Sequence, residues 1–462
     1  MDENVTIAAI STPVGPGGIS IIRISGAKAG EAARTLFKPR NTGFPLKSHR
    51  LYLGHVVDPG SGRLVDQVLC CHMYAPATYT REDVVEFHCH GGPVVAARVL
   101  ELVLRTGVEL ARPGEFTRRA FMAGRIDLSE AEAVAELIAA RSEAEARLAA
   151  AQLAGGMKER TERLRRPLVE TLAQLEAALD FPDEEIEILD GPILAGRLEG
   201  EVLAGLDQLL EAYDDGRVFR EGVKAAIVGR PNVGKSSLLN ALVKAERAIV
   251  HPRPGTTRDL IRVEASIEGI PLTIIDTAGL ETPAADEVEA EGQRRAAAEL
   301  AGADLALLVL DVNRPLSGED SRIGRACLPA RTVAVLNKSD LEPRYSAEEA
   351  KAFLGLDTAV EVSALTGKGL VELGRTIFTF LTGRPPDRTA GPELAPNLRH
   401  KIALARARPF VERAADGLRA GLAPELVALE INEALGALGE ITGRTTPEEV
   451  LDEIFRRFCL GK

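Results

Sequence analysis

Apolar residues recur along this chain with two different periods, and the switches between them divide it into blocks. In the first 120 or so residues the signal is strand-like. Val5–Ile10 and Ile19–Ile24 are β-branched runs separated by Pro13-Val14-Gly15-Pro16-Gly17-Gly18, a tight-turn composition. Val65–Met73 and Asp83–His88 are further strand candidates, and Gly91-Gly92-Pro93 opens a helix running to about Arg105, with Pro93 suited to its first turn. From Asp127 the period becomes helical. Ser129 with Glu132 reads as a capping box, and Leu164, Leu168, Leu172, Leu175 and Leu179 form one stripe on a long helix that Asp180-Phe181-Pro182 ends. Residues 222–383 return to alternating strands and helices. After Thr382-Gly383-Arg384-Pro385-Pro386 helices resume, with a stripe of Leu426, Leu429, Leu435, Leu438 and Ile441 and a last helix capped by Thr446-Pro447-Glu448-Glu449.

Chemistry enters at residues 229–236, Gly-Arg-Pro-Asn-Val-Gly-Lys-Ser. Gly, four residues, then Gly-Lys-Ser is the spacing of a phosphate-binding loop, here between the strand candidate Val223–Val228 and a helix start at Ser237. Backbone N–H groups of Asn232, Val233 and Gly234 can turn inward on a polyphosphate at the positive end of that helix. Lys235 supplies charge to the β and γ phosphates, Ser236 offers its hydroxyl to Mg²⁺, and Ser237 extends the cradle.

Three further motifs follow in order. Leu272–Ile275 leads into Asp276-Thr277-Ala278-Gly279, where a strand-end carboxylate can hold Mg²⁺ through water and the glycine can approach the γ-phosphate. Val333–Leu336 precedes Asn337-Lys338-Ser339-Asp340, whose last carboxylate can accept from guanine N1–H and N2–H₂, which adenine cannot match. Ser363-Ala364-Leu365 offers a backbone contact to guanine O6. Together these resemble the small translation-factor-like GTPases, and Gly255-Thr256-Thr257 supplies the threonine expected on Mg²⁺ in that class. Leu280 stands where a water-orienting Gln would be. The acidic stretch Asp286-Glu287-Val288-Glu289 can either reach the γ-phosphate or form a solvated first helical turn.

Composition narrows the setting. Net charge is −12, so nucleic acid must be held by a local basic patch. No run of about 18 apolar residues lacks charge, which predicts no membrane span. The first residues lack a signal-peptide pattern. Five scattered cysteines, Cys70, Cys71, Cys89, Cys327 and Cys459, argue against a disulfide scaffold and for a reducing cytoplasm. His88-Cys89-His90 and Cys70-Cys71-His72 carry zinc-type ligands, but neither has a usual structural-zinc spacing.

Over its whole length the sequence resembles the MnmE (TrmE) family of tRNA-modification GTPases. The marks are Ile21-Ile22-Arg23-Ile24-Ser25-Gly26, Glu82-Asp83-Val84-Val85-Glu86, His90-Gly91-Gly92-Pro93, Ala111-Arg112-Pro113-Gly114-Glu115-Phe116, Asp180-Phe181-Pro182-Asp183-Glu184-Glu185 and Phe458-Cys459-Leu460-Gly461-Lys462. The resemblance implies a multidomain α/β plus all-α chain. Residues 1–123 would be a tetrahydrofolate-binding and dimerisation α/β domain. Residues 124–221 and 384–462 would be the two parts of a split helical domain, interrupted by a P-loop GTPase (Ras-like) domain with a mostly parallel sheet at 222–383.

It further implies a homodimer that binds GTP, Mg²⁺, K⁺ and a 5-formyl- or methylene-tetrahydrofolate. With the flavoprotein MnmG it would add a carboxymethylaminomethyl or aminomethyl group to C5 of the wobble uridine of certain tRNAs. K⁺ ligands would be Asn232, His251, Arg253 and Thr256, within the nucleotide-site loop His251-Pro252-Arg253-Pro254-Gly255-Thr256-Thr257. Mg²⁺ would take Ser236 and Thr257, and Glu289 would orient the attacking water. Folate contacts would be Arg23, Glu86, Arg125 and Lys462, and Cys459 would have a role in the modification. The alternative is a regulatory GTPase switch in ribosome assembly, which shares the nucleotide motifs but predicts basic RNA-binding flanks.

Overall fold

The computed structural model describes residues 5–13, 15–41, 43–180, 190–245, 262–276, 300–327, 331–386 and 393–462. The N-terminal part runs β1 (Ile7–Ile10), β2 (Ile19–Ser25), α1 (Ala29–Leu36), β3 (Phe37–Pro39), β4 (Leu51–Val57), β5 (Leu64–Met73), β6 (Val84–His90), α2 (Pro93–Leu104), β7 (Glu109–Leu110) and α3 (Glu115–Met122). The strands form one sheet in the order β3-β4-β5-β6-β2-β1-β7, antiparallel except for β1 with β7.

Period-two alternation decides its faces. Ile22 and Ile24 point inward with Val85, Phe87 and Cys89, onto the small residues Ala29, Ala32 and Ala33 of α1 and onto Val99 and Val103 of α2. The intervening positions, Arg23 and Glu86 among them, fall on the opposite face, directly across from one another. Cys70, Cys71 and Cys89 are buried strand residues.

Helices follow: α4 (Leu128–Ala139), α5 (Glu143–Leu153), α6 (Gly156–Asp180), α7 (Gly191–Arg197), a π-helical turn at Leu198–Leu203, and α8 (Ala204–Glu221). The start of α4 differs from the expected Ser129–Glu132 box. Asp127 Oδ1 accepts from the Glu130 N–H at 2.8 Å, and the Glu130 carboxylate accepts from the Asp127 N–H at 2.6 Å. The reciprocal cap therefore sits two residues earlier, and Ser129 is a buried helical residue donating to Asp127 at 2.7 Å. On α6 the expected stripe is present: Leu164, Leu168 and Leu175 are buried, and Leu172 and Leu179 half-buried.

The second sheet contains β8 (Val223–Val228), β9 (Arg262–Ile267), β10 (Ile270–Asp276), β11 (Leu305–Asp311), β12 (Thr332–Asn337) and β13 (Ala359–Glu361), in the order β13-β12-β11-β8-β10-β9. All neighbours are parallel except β9 with β10. With helices to cover both faces, β11 and β12 are buried at every position. The helices here are α9 (Lys235–Ala245), α10 (Gly318–Ala326), α11 (Ala347–Leu354) and α12 (Leu370–Thr382). Capping boxes start two of them, Ser317 with Asp320 on α10 and Ser346 with Glu349 on α11.

The chain continues through α13 (Leu398–Arg419), α14 (Pro424–Thr442) and α15 (Glu448–Arg456). The predicted leucine stripe on α14 is only partly inward. Leu426 and Leu429 are 55% and 59% exposed, and the buried face is Val427, Ile431, Ala434, Leu438 and Ile441. The helix packs against α6. Arg165 of α6 donates to the Leu435 carbonyl at 2.7 Å. The last helix also starts differently: Pro447 is its N-cap without a side-chain bond, and the Thr446 hydroxyl donates to the Glu440 carbonyl at 3.1 Å.

Two compact units result, one of residues 1–135, 152–202 and 406–462, the other of residues 136–151 and 203–405. No described helix is long and apolar enough to cross a membrane.

Candidate functional site

In the second unit, β8, β10, β11 and β12 end on the same edge of the sheet, and their C-terminal ends carry the motif residues. This is the edge at which open α/β sheets take ligands. The loop after β8 wraps the start of α9. Lys235 is buried, and its ammonium donates to the carbonyls of Gly229 at 2.7 Å and Arg230 at 3.0 Å. Ser236 and Ser237 lie exposed in the first turn of α9. Gly234 is obligatory: a Cβ there would lie 2.3 Å from Asn337 Nδ2.

That close approach reflects a direct tie between loops. Asn337, 2% exposed, donates through Nδ2 to the Val233 carbonyl at 2.8 Å and accepts at Oδ1 from the Ala364 N–H at 3.0 Å. One side chain thus spans the phosphate loop, the base loop and the Ser363-Ala364-Leu365 loop. Lys338 Nζ donates to the Asn232 carbonyl at 2.9 Å and to Asp311 Oδ2 at 2.6 Å. Ser363 donates to the Asp340 carboxylate, which is itself exposed, and Leu365 is 86% exposed.

Two acidic positions carry no motif signature in the sequence yet belong to this edge. Asp311 ends β11 opposite Asn337, and Asp320 on α10 takes the Arg230 guanidinium at 3.2 Å, beside Glu319 at 3.2 Å. A carboxylate at a strand end was the signal available for Asp311. Asp276 ends β10 in register with Ile227 of β8. His251, Pro252, Arg253, Pro254, Gly255, Thr256, Thr257, Thr277, Ala278, Gly279 and Glu289 lie outside the described residues, as does Phe181-Pro182-Asp183-Glu184-Glu185.

In the first unit, the four candidate folate residues are linked through a few neighbours. Arg23 Nε donates to Glu86 at 2.8 Å, and its guanidinium lies 5.8 Å from the centre of the Phe116 ring. The Phe116 N–H donates to the Lys462 backbone oxygen at 3.2 Å. Arg125 lies 5.3 Å from the Tyr79 ring and donates to the Thr78 carbonyl, while Tyr79 shares a 3.0 Å hydrogen bond with Thr117, the neighbour of Phe116. Burial pushes the Tyr79 phenol up from its ordinary value, although its Thr117 bond and the nearby guanidiniums oppose this.

For Glu86, burial alone would raise the carboxyl pKa. The charge and hydrogen bond of Arg23, with His88 at 3.1 Å, overcome that and hold it below the usual range.

The Cys459–Lys462 segment lies on the N-terminal sheet through its backbone. Ser11 Oγ donates to the Gly461 carbonyl at 3.0 Å, and the Gly114 N–H donates to the Cys459 carbonyl at 3.4 Å. Gly461 has φ +87°, and a Cβ on it would lie 2.4 Å from the Ile10 carbonyl oxygen. Arg118 of α3 anchors the preceding helix α15 through Glu448 at 3.1 Å and Asp452 at 2.9 Å. Cys459 itself is exposed.

Two family models match the chain. Residues 6–125 match the GTP-binding protein TrmE N-terminus, and residues 128–459 match the MnmE helical domain. The tRNA modification GTPase MnmE of Chloroflexus aurantiacus is 46% identical over 462 residues, covering 99% of this chain and all of the relative. The tRNA modification GTPase MnmE of Geobacter metallireducens is 45% identical over 465 residues, covering 99% of each. Among solved structures, the G domain of the T. maritima FeoB iron transporter is 29% identical over 34% of this chain and 98% of its own, with a TM-score of 0.28.

Proposed function

The chain belongs to the MnmE family of tRNA modification GTPases, and we propose that it couples K⁺-stimulated GTP hydrolysis to chemistry on the wobble uridine of tRNA. GTP binding, hydrolysis and a role in tRNA modification follow from the family itself. The finer reading is that the chain works as a cytoplasmic homodimer with the flavoprotein MnmG. Together they add a carboxymethylaminomethyl or aminomethyl group to C5 of the uridine, with one carbon drawn from a tetrahydrofolate. The ribosome-assembly alternative is not retained, since both flanks match this family's models.

The observation that carries the finer reading is the meeting of Arg23, Glu86, Phe116 and the Gly461–Lys462 segment in one place. Residues from opposite ends of the sequence form a site with a guanidinium, a carboxylate held ionised and an aromatic face, and Arg125 with Tyr79 extends it. This donor set suits a pterin with an anionic glutamate tail: the carboxylate accepts from ring N–H groups, the aromatic face takes the ring, and the cations take the tail.

At the nucleotide site the donor set likewise suits the ions. The Ser236 hydroxyl is exposed in the first turn of a helix beside a phosphate loop, and Asn232 is exposed and has its backbone fixed by Lys338. In this reading Ser236 and Thr257 hold Mg²⁺, Asn232 with His251, Arg253 and Thr256 holds K⁺, and Glu289 orients the attacking water. Bound K⁺ supplies positive charge opposite the charge that develops on the phosphates. Lys235 binds the β and γ phosphates, and Asp340 selects guanine.

The test is the steady-state GTPase rate of the full chain in KCl against NaCl at equal ionic strength, with oligomeric state followed by light scattering. A K⁺-specific acceleration accompanied by dimerisation supports the reading. Equal rates in the two salts would refute the K⁺ site while leaving the GTP site intact. Binding of 5-formyl-tetrahydrofolate to the wild type but not to Arg23→Ala supports the folate site, and equal binding by both refutes it.

A further inference from the structure

We propose that Asp311 is a positioning residue for the GTP site: it orients the Lys338 ammonium so that Lys338 clamps the carbonyl of Asn232 and joins the base-recognition loop to the phosphate loop. The proposal rests on the GTP-binding reading and adds to it a residue outside the four nucleotide motifs.

The geometry runs through three groups. The Asp311 side chain is only 5% exposed, at the C-terminal end of β11, with Asn337 across from it on β12. Its Oδ2 takes Lys338 Nζ at 2.6 Å, and the same ammonium reaches the Asn232 carbonyl at 2.9 Å. The carboxylate is itself fixed. The Asn313 N–H donates to Oδ1 at 3.1 Å, and Arg314 Nε lies 3.5 Å from Oδ2. Tyr345 donates to the Asp311 backbone oxygen at 3.2 Å, holding the strand end in place.

Both residues joined by this clamp have backbones in the left-handed region, Asn232 at φ 67° and Lys338 at φ 67°. Lysine adopts that conformation at a cost, and here the cost is offset by two bonds made by its own ammonium. Both bonds are charge-assisted through the ammonium, and the one to Asp311 is in addition between opposite charges, which makes it the stronger of the two. Removing the carboxylate leaves a lysine, 31% exposed, with one neutral acceptor and a strained backbone. The Asn232 carbonyl then loses its fixed donor. Asn337 ties Val233 separately, so the loop stays attached at one point and loosens at the other.

The experiment uses full-length Asp311→Ala, Asp311→Asn, Lys338→Ala and the Asp311→Ala/Lys338→Ala double variant. Dissociation of fluorescently labelled GDP is followed by stopped flow, with thermal unfolding of each variant in parallel. Asp311→Ala is expected to release GDP about tenfold faster, as the loss of one charge-assisted bond implies. Asp311→Asn, which keeps the volume and one of the two acceptor oxygens but not the charge, should release GDP at a rate between those of Asp311→Ala and the wild type. The double variant should release GDP no faster than the faster single variant, because both changes break the same clamp.

Multiplicative effects in the double variant overturn the proposal, as does a rate within twofold of wild type for Asp311→Ala. If Asp311→Ala fails to fold, Asp311→Asn and Asp311→Ser against Lys338→Ala give the same cycle. Absence of GDP binding by the wild type would instead overturn the nucleotide site itself.

Discussion

Replacing Gly461 by alanine tests whether the C-terminal segment is held on the N-terminal sheet by backbone fit alone. The new Cβ would lie 2.4 Å from the Ile10 carbonyl oxygen and 2.9 Å from Ser11 Cα, both backbone atoms that no rotamer change can move aside. The φ of +87° adds about 1–2 kcal/mol for any residue with a Cβ. Against this, the docked segment makes three hydrogen bonds, from Ser11 to Gly461, from Gly114 to Cys459 and from Phe116 to Lys462. At roughly 1 kcal/mol each they hold it by about 3 kcal/mol. Backbone strain and overlap together are of that size, so Gly461→Ala should lift the segment.

Hydrogen exchange at the Phe116 amide reads the lifting directly, since its acceptor is the Lys462 oxygen. Affinity for 5-formyl-tetrahydrofolate should fall at least tenfold if the segment completes that site. Gly421→Ala is the control: it has φ +65° but nothing within 4 Å of its Cβ, so it pays the backbone term without the overlap. Unchanged exchange and affinity within twofold of wild type for Gly461→Ala would refute the reasoning.

Three further outcomes are expected. Asp340→Asn exchanges two acceptor sites for one and should weaken GTP by about 100-fold while improving xanthosine triphosphate; unchanged GTP affinity in a titration would remove Asp340 from base recognition. Glu86 has a folded pKa below its ordinary 4.5, through Arg23 and His88 against burial, so its stabilisation is complete above that value and is lost as pH falls through the lowered one. Glu86→Gln should therefore lose less Tm than wild type on going from about pH 6 to about pH 3.5, and parallel losses would refute the pairing. Burial raises the thiol pKa of Cys70 and Cys71, and pushes Cys89 up to about 12 and Cys327 to about 11, whereas Cys459 is exposed. A thiol reagent should label Cys459 alone in the folded chain, as peptide mass spectrometry would read, and early labelling of Cys89 would contradict its burial.

What was legible in the sequence was local. The strand ending at Val228, the loop to Ser236 and the helix beyond it are specified by neighbouring residues, because backbone turns and helix starts depend on residue types a few positions apart. Choices made by distant neighbours were less legible. On α14, Leu426 and Val427 are one residue and about 100° apart, and periodicity alone favours the leucine. The structure buries the valine instead, with its Cγ2 against Gly417 of α13. At α4 two overlapping cap patterns compete, and Asp127 takes the role because its own carboxylate and that of Glu130 close on each other's N–H groups. The return of Gly461 to Ile10 has no local signature, so only resemblance to a family pointed to it.

The two lysines of the nucleotide motifs show why motif positions and their geometry are separate pieces of information. Spacing identifies Lys235 and Lys338, but their surroundings come from other loops. Lys235 rests on two carbonyls of its own loop, whereas Lys338 reaches back 106 residues to Asn232 and sideways to Asp311. Asn337 makes a second crossing to Val233. The phosphate and base loops are therefore one hydrogen-bonded body before any ligand contact is considered. Ordering one orders the other, so part of the entropy cost of arranging the site is met by folding. It follows that a substitution in the base loop should alter phosphate-loop geometry as well as base choice. Asp311→Ala and Asp340→Asn separate the two effects: the first should raise release of guanine and xanthine nucleotides alike, and the second should exchange one base for the other.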